Sequence, residues 1–253
     1  MARPVILINS DVEPEGQRGT LRVRLPAAYV DAVAVAGGLP VIVSPTLAPE
    51  LLRVHLARCD GVLFIGGQDY PPAWYGEAPH PETKELHPVR AAADRELARA
   101  ALASDVPILA ICGGQQLLNL TCSGKVVQHL PHAETHTGDK LHPVTIRGGR
   151  ILRELFGEGR TEVNSYHHQA AHPDAIGKGL VVTALADDGT VEALEGTDPQ
   201  RFVLGVQWHP ERHYDLEHRK KIFEAFMRAC AGEDRTAHVR WRQDPCCKIA
   251  EDA

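Results

Sequence analysis

Long apolar runs are missing from this 253-residue chain. Its most hydrophobic segments, such as PVILINS (4–10) and PILAIC (107–112), are strand-length, far short of the roughly 20 residues a membrane-crossing helix needs. The opening MARPVILINSD also lacks the apolar core and small-residue cleavage site of a secretory signal. No membrane partner is expected, and a cytoplasmic location is. Basic residues are outnumbered, 27 Lys and Arg against 33 Asp and Glu, for a net charge of -6. With neither a polybasic run nor an RNP-type aromatic motif, no nucleic-acid partner is expected.

Cysteine is sparse as well. The six cysteines (Cys59, Cys112, Cys122, Cys230, Cys246 and Cys247) are scattered, and none form a CxxC pair. This excludes the dense disulfide framework of a small secreted domain and the ligand spacing of a cysteine-type zinc site. The phosphate-cradling GxGxxG and GxxxxGK[ST] motifs and the zinc-binding HExxH motif are also missing. A histidine-rich stretch, QHLPHAETHTGDKLHP (128–143), offers His129, His132 and His136. It reads as a loop without defined ligand spacing, so the expectation is no metal and no cofactor.

What is present is a chain that is 43% apolar and 24% charged, enough to bury a sizeable core. Strand-length runs alternate with helical ones. PVILINS is followed by a helix over 26–38; PVIVSP by PELLRVHLARC; and GVLFIGG (61–67) by a helix over 88–104 in which Ala93, Leu97 and Ala101 lie four apart. PILAIC then runs into a helix that opens GGQQLL. Such alternation implies βαβ units and a parallel sheet covered on both faces. The second half differs: LVVTALADDGTVEALEG (180–196) alternates around Asp188-Gly189, a hairpin signal. FVLGVQWHPE (202–211) is a further strand, and 216–232 an amphipathic helix with Ile222, Phe226 and Cys230 on one stripe. One domain is expected over 1–232. A polar tail over 233–253 carries Trp241 and the Cys246-Cys247 pair, to which no role attaches.

Cys112 stands where an apolar strand turns into a helix. In open parallel sheets, ligands sit at the carboxyl ends of the strands, and a residue on a sharp strand-to-helix turn is presented to them. A helix start also favours thiolate over thiol, and the N–H of Gly113 is available to an oxyanion. A buried structural cysteine at a tight turn is the competing reading. A thiolate nucleophile needs a base, and the base an orienting group. GVQWHPE (205–211) carries His209 and, two residues on, Glu211; residues two apart on an extended chain face the same side. Gly66 and Gly67 end a strand on the same side and offer a second oxyanion donor. VNSYHHQ (163–169) is a polar cluster suited to a polar substrate.

Four motifs in order, GGQDYPPAWYGE, PILAICGGQQLLNL with VVQHLP after it, VNSYHHQ and GVQWHPE, resemble the class I glutamine amidotransferase-like superfamily. More closely, they resemble its gamma-glutamyl-gamma-aminobutyrate hydrolase branch, the C26 peptidases, over about residues 5–230. The resemblance implies a flavodoxin-like three-layer α/β/α sandwich, with a mostly parallel central sheet and a small antiparallel hairpin region. It also implies a Cys112-His209-Glu211 triad, an oxyanion hole from Gly67 and Gly113, and substrate contacts from Gln116, Ser165, His167 and His168. The activity it implies is hydrolysis of gamma-glutamyl amides through a glutamyl-thioester, as in polyamine catabolism, on a small-molecule substrate and with a homodimer as a possible assembly. Alternatives are a glutaminase subunit feeding ammonia to a separate synthetase and a degenerate binding protein.

The chain departs from the branch at several positions. Ala110 replaces a glycine, expected to crowd the turn slightly, and Gly113 replaces an arginine. His87 and Ala91 stand for acids in HPVRA, and Lys125 and His129 change the rim of the site.

Overall fold

The computed structural model describes residues 3–16, 19–212 and 216–232; the tail with Trp241, Cys246 and Cys247 lies outside the described residues. In chain order the elements begin β1 (Val5–Ile8), the hairpin β2 (Asp11–Glu15) and β3 (Thr20–Arg24), α1 (Ala27–Val35), β4 (Leu39–Ile42) and α2 (Pro49–Leu56). Then come β5 (Gly61–Phe64), α3 (Pro88–Leu102), β6 (Ile108–Ile111), α4 (Gly113–Thr121) and β7 (Val126–Val127). The second half holds β8 (Lys140–Ile146), α5 (Ile151–Phe156), β9 (Gly159–Ser165) and β10 (Ala170–Ala171). It closes with β11 (Leu180–Ala186), β12 (Val191–Gly196), β13 (Val203–Val206) and α6 (Leu216–Cys230).

Nine strands form one sheet in the order β4-β1-β5-β6-β13-β12-β11-β8-β9. The first five are parallel. The apolar runs at its centre are buried at every position of β5 and β6, because helices cover both faces. Alternation still sorts the side chains. Ile6, Ile8, Leu63, Ile65 and Leu109 pack with Tyr29 and Val33 of α1 and with Ile222 and Phe226 of α6. Leu7, Val62, Phe64, Ile108 and Ala110 pack with Leu52 of α2, Leu97 of α3 and Leu117 of α4. The chain is thus a three-layer α/β/α sandwich. Ala110 sits within this second cluster, fully buried.

Helix starts follow local chemistry. α2 and α3 open on Pro49 and Pro88, where a missing N–H costs nothing. His87, standing for an acid, still caps α3: its Nδ1 accepts from the N–H of Val89 at 3.2 Å.

The antiparallel part is larger than a hairpin. β12, β11, β8 and β9 continue the sheet antiparallel. The Asp188-Gly189 turn joins β11 to β12 as expected, whereas β8 and β9 escape sequence reading because Pro143 interrupts one, and the other is an edge strand with an exposed, polar first half. Buried Glu195 of β12 ties this region to α5, accepting from the N–H groups of Arg150, Ile151 and Leu152 at 2.8–2.9 Å. That satisfies donors a helix start leaves open.

α4 lies close on β5: a Cβ on Gly114 would stand 2.5 Å from the Phe64 carbonyl oxygen. Gly114→Ala is therefore expected to destabilise the fold by about 1–3 kcal/mol through overpacking, read as a lower urea midpoint with an unchanged slope.

Candidate active site

Three adjacent strands deliver the site. Register pairs Phe64 with Ala110 and Ile111 with Val206, so Gly66-Gly67, Cys112 and the segment leading to His209 leave the same sheet edge side by side. Cys112 adopts φ 54, ψ -112, a backbone that L-residues avoid at a cost of order 1–3 kcal/mol. Neighbouring bonds enforce it: the Cys112 N–H donates to Val206 at 2.8 Å, and its carbonyl accepts from Gln115 and Gln116 at 2.9 and 3.3 Å. The sharp turn expected from CGG is thus present, with Cys112 at the N-terminus of α4.

His209 is held at both backbone and ring. Asn164 of β9 clamps its backbone, its Oδ1 accepting from the His209 N–H and its Nδ2 donating to the His209 carbonyl, each at 2.9 Å. The ring Nδ1 lies 2.7 Å from Glu211 Oε1. Nε2 is buried and lacks a partner at good hydrogen-bond geometry; the Cys112 thiol is the neighbour that interacts with the ring on looser geometry, as resting catalytic pairs often do. The position a Cβ on Gly66 would take is 3.2 Å from Cys112 Cβ and 3.4 Å from His209 Cε1. Burial pushes the imidazole towards neutrality, but the Glu211 carboxylate and the Cys112 sulfur override it and hold His209 well above the ordinary histidine range.

The oxyanion candidates also converge. A Cβ on Gly113 would stand 3.3 Å from Gly67 N, and neither glycine's N–H donates to a protein acceptor among the described residues. Tyr29 and Arg90, which sequence reading passed over, set this loop. Tyr29 Oη accepts from the Gly66 N–H at 3.1 Å; burial first, then the Glu211 and Cys112 charges, raises its pKa and keeps the phenol neutral. Arg90 is fully buried; its Nη2 donates to the Gly66 carbonyl at 2.8 Å, and its guanidinium pairs with Asp94 at 3.2 Å and Asp11 at 3.3 Å. Asp94 also accepts from Tyr70 and Asn9 at 2.7 and 2.8 Å, while Asn9 Oδ1 accepts from the Ile65 N–H at 2.8 Å. The only sequence trace of this network was the arginine in HPVRA.

The expected substrate contacts divide into two groups. Gln116 is buried behind the turn, its Nε2 donating to the Gln169 carbonyl and Gln207 Oε1 at 3.1 and 3.2 Å. His168 is part-exposed between Asp69 Oδ1, 3.2 Å from its Nε2, and His129, 3.3 Å from its Nδ1. Ser165 and His167 turn away into a separate histidine cluster. Ser165 Oγ donates to the His136 carbonyl at 3.0 Å, and His167 Nδ1 donates to the Gln169 carbonyl at 3.0 Å. Lys125 of the altered rim pairs with Glu77 at 3.2 Å.

Among known proteins, residues 4–211 match the family model described as Peptidase C26. A Mycobacterium tuberculosis protein named a "putative glutamine amidotransferase" is 40% identical over 216 residues, 82% of this chain and 68% of that protein. The gamma-glutamyl-gamma-aminobutyrate hydrolase PuuD of Escherichia coli K12 is 33% identical over 225 residues, 81% of this chain and 86% of PuuD. A solved structure from Thermoplasma acidophilum, a component of a "putative GMP synthase", shares the fold at a TM-score of 0.62 and 17% identity. The match covers 91% of this chain and 96% of that one. No helix among the described residues is long and apolar enough to cross a membrane.

Two outcomes follow from the geometry. Arg90→Met leaves Asp94 buried without its counter-charge and is expected to cost about 3–5 kcal/mol in a denaturant titration, with Arg90→Lys losing less. In Glu211→Gln the nearby negative charge is gone, so the His209 ring, followed by NMR, is expected to titrate at a lower pH than in wild type.

Proposed function

The chain belongs to the peptidase C26 family, and from that premise we propose that it is a cysteine-dependent hydrolase of gamma-glutamyl amides. The observation that carries the reading is the convergence of Cys112, a His209 ring fixed by Glu211, and the amides of Gly67 and Gly113 at one sheet edge.

In this mechanism the Cys112 thiolate attacks the gamma-carbonyl carbon and forms a C–S bond. The carbonyl oxygen takes the charge and points at the two glycine N–H groups, where preorganised donors lower the barrier. The His209 imidazolium, held charged by Glu211, gives its proton to the leaving nitrogen as the C–N bond breaks. The amine departs, leaving a glutamyl-thioester on Cys112. The now neutral His209 takes a proton from water, hydroxide adds to the thioester, and collapse releases glutamate and the thiolate. Gln116, buried behind the turn, and His168, on the rim, are the candidate contacts for the glutamyl part and the amine. Similarity to the E. coli hydrolase supports the gamma-glutamyl class.

A glutaminase subunit serving a separate synthetase is the second reading, favoured by the amidotransferase name of the mycobacterial relative. It requires ammonia release from glutamine that rises only when a partner is added.

A panel of gamma-glutamyl amides, with mass detection of glutamate and amine, is the test. Wild type is expected to turn over at least one amide, and Cys112→Ala to lose turnover by at least about a thousandfold while keeping its thermal midpoint. Turnover retained in Cys112→Ala would reject the nucleophile.

A further inference from the structure

Four side chains from four separate segments meet: His136 from the loop after β7, His142 from β8, His167 just past β9, and Glu192 from β12. Their potential donor atoms all lie within 4.8 Å of one another. Glu192 and His136 are almost wholly buried, and His167 nearly so. His136 Nδ1, His142 Nε2 and His167 Nε2 stand 3.4, 3.6 and 3.4 Å from Glu192 Oε1. From these contacts we propose that His136, His142, His167 and Glu192 form a closed, four-coordinate site for one divalent first-row transition-metal ion of the zinc type.

Glu192 also interacts with His136 and His167 as a hydrogen-bond partner, on looser geometry. An N–H···O bond spans about 2.7–3.2 Å, and all three gaps are longer. Donors placed tetrahedrally about 2.0–2.1 Å from an ion lie about 3.4 Å apart, close to the three His–Glu192 gaps, while the four donor atoms as a set lie within 4.8 Å of one another.

The outer bonds point the same way. His136 Nε2 donates to Asp188 Oδ2 at 2.9 Å, His167 Nδ1 to the Gln169 carbonyl at 3.0 Å, and His142 Nδ1 faces the Pro143 carbonyl at 3.3 Å. Each ring thus has a carboxylate or carbonyl on its outer nitrogen and turns the other nitrogen towards Glu192, with Ser165 Oγ also 3.4 Å from His136 Nδ1; such outer partners are the usual support of metal-bound histidines. Both carboxylate oxygens of Glu192, together with Nε2 of His142 and of His167, are buried without a hydrogen-bond partner at good geometry, a costly state for a charged group. A buried carboxylate faced by three imidazole nitrogens calls for positive charge at its centre, which a bound cation supplies.

Three imidazoles and one carboxylate suit zinc and its first-row neighbours better than calcium or magnesium. Four protein donors leave no open position, so the ion's role is structural. It would clasp the histidine-rich loop, β8, the end of β9 and β12 together. The same stretch of β9 carries Asn164, which clamps the His209 backbone. Of the loop histidines weighed from the sequence, only His136 takes part. His129 stacks on His80 and contacts His168, and His132 is exposed beside Glu134.

The test uses the full chain without an affinity tag. It is stripped with chelator, dialysed, incubated separately with Zn2+, Co2+, Mn2+ and Fe2+, and desalted before metal analysis by mass spectrometry. About one equivalent of zinc or cobalt per chain is expected, with the cobalt form showing the intense visible bands of tetrahedral coordination and a raised thermal midpoint. Glu192→Gln and His142→Ala are expected to lose the bound equivalent, whereas His129→Ala and Cys112→Ala keep it. Wild-type chain that retains less than a tenth of an equivalent of every metal overturns the proposal, even if the site variants fail to fold. So does metal that is lost with Cys112→Ala but kept by Glu192→Gln.

Discussion

The parallel register of β5, β6 and β13 is the constraint on which the site rests. Because Phe64 pairs with Ala110 and Ile111 with Val206, all three strands end at one level, and their next residues emerge as neighbours. The bond from the Cys112 N–H to Val206 extends that ladder one step past the strand. α4 must then begin at once, since Gly113 is already its first residue. The backbone of Cys112 absorbs the whole change of direction, which is why it sits at positive φ. Strain of this kind persists only where the surroundings over-determine it, and here a sheet bond on one side and two helix bonds on the other do so.

The loop opposite is held by buried charge. Arg90 reaches Gly66 from α3, and a Cβ on Gly67 would stand 2.4 Å from its Nη1. Only glycine lets the guanidinium and the loop backbone come this close. The acids that balance Arg90 come from the β2 hairpin and from α3 itself, and Asn9 links Asp94 to the Ile65 amide. Removing one partner would leave another buried and uncompensated, so the network fixes a geometry more than it adds net stability.

The two halves of the sheet divide the work. The parallel half supplies Cys112, His209 and the glycine amides, and the antiparallel half holds His209 in place through Asn164. His209-Pro210-Glu211 lies in a turn past the end of β13, closed by the Arg212 N–H on the His209 carbonyl at 3.3 Å. The reciprocal amide clamp and the 2.7 Å contact to Glu211 give it one orientation. The histidine cluster draws on the same antiparallel strands, β8, β9 and β12.

Much was legible in the sequence, because the deciding physics there is local. Alternating strand and helix runs specify a covered parallel sheet. A strand running into CGG specifies a turn that presents Cys112. Glu211 does meet His209, but through a turn at Pro210-Glu211 and not through the extended chain expected of the two-residue spacing. Other features depend on pairings between distant segments that no local pattern records. β8 and β9 become strands only by pairing with each other and with β11. Arg90 is an ordinary helix residue until α3 packs over the Gly66 carbonyl. Ser165, His167 and His168 form one polar run in the sequence, yet the chain leaving β9 turns Ser165 towards His136 and His167 towards Glu192, and leaves His168 near Asp69. Four donors scattered from 136 to 192 become one cluster only because sheet order brings β8, β9 and β12 together.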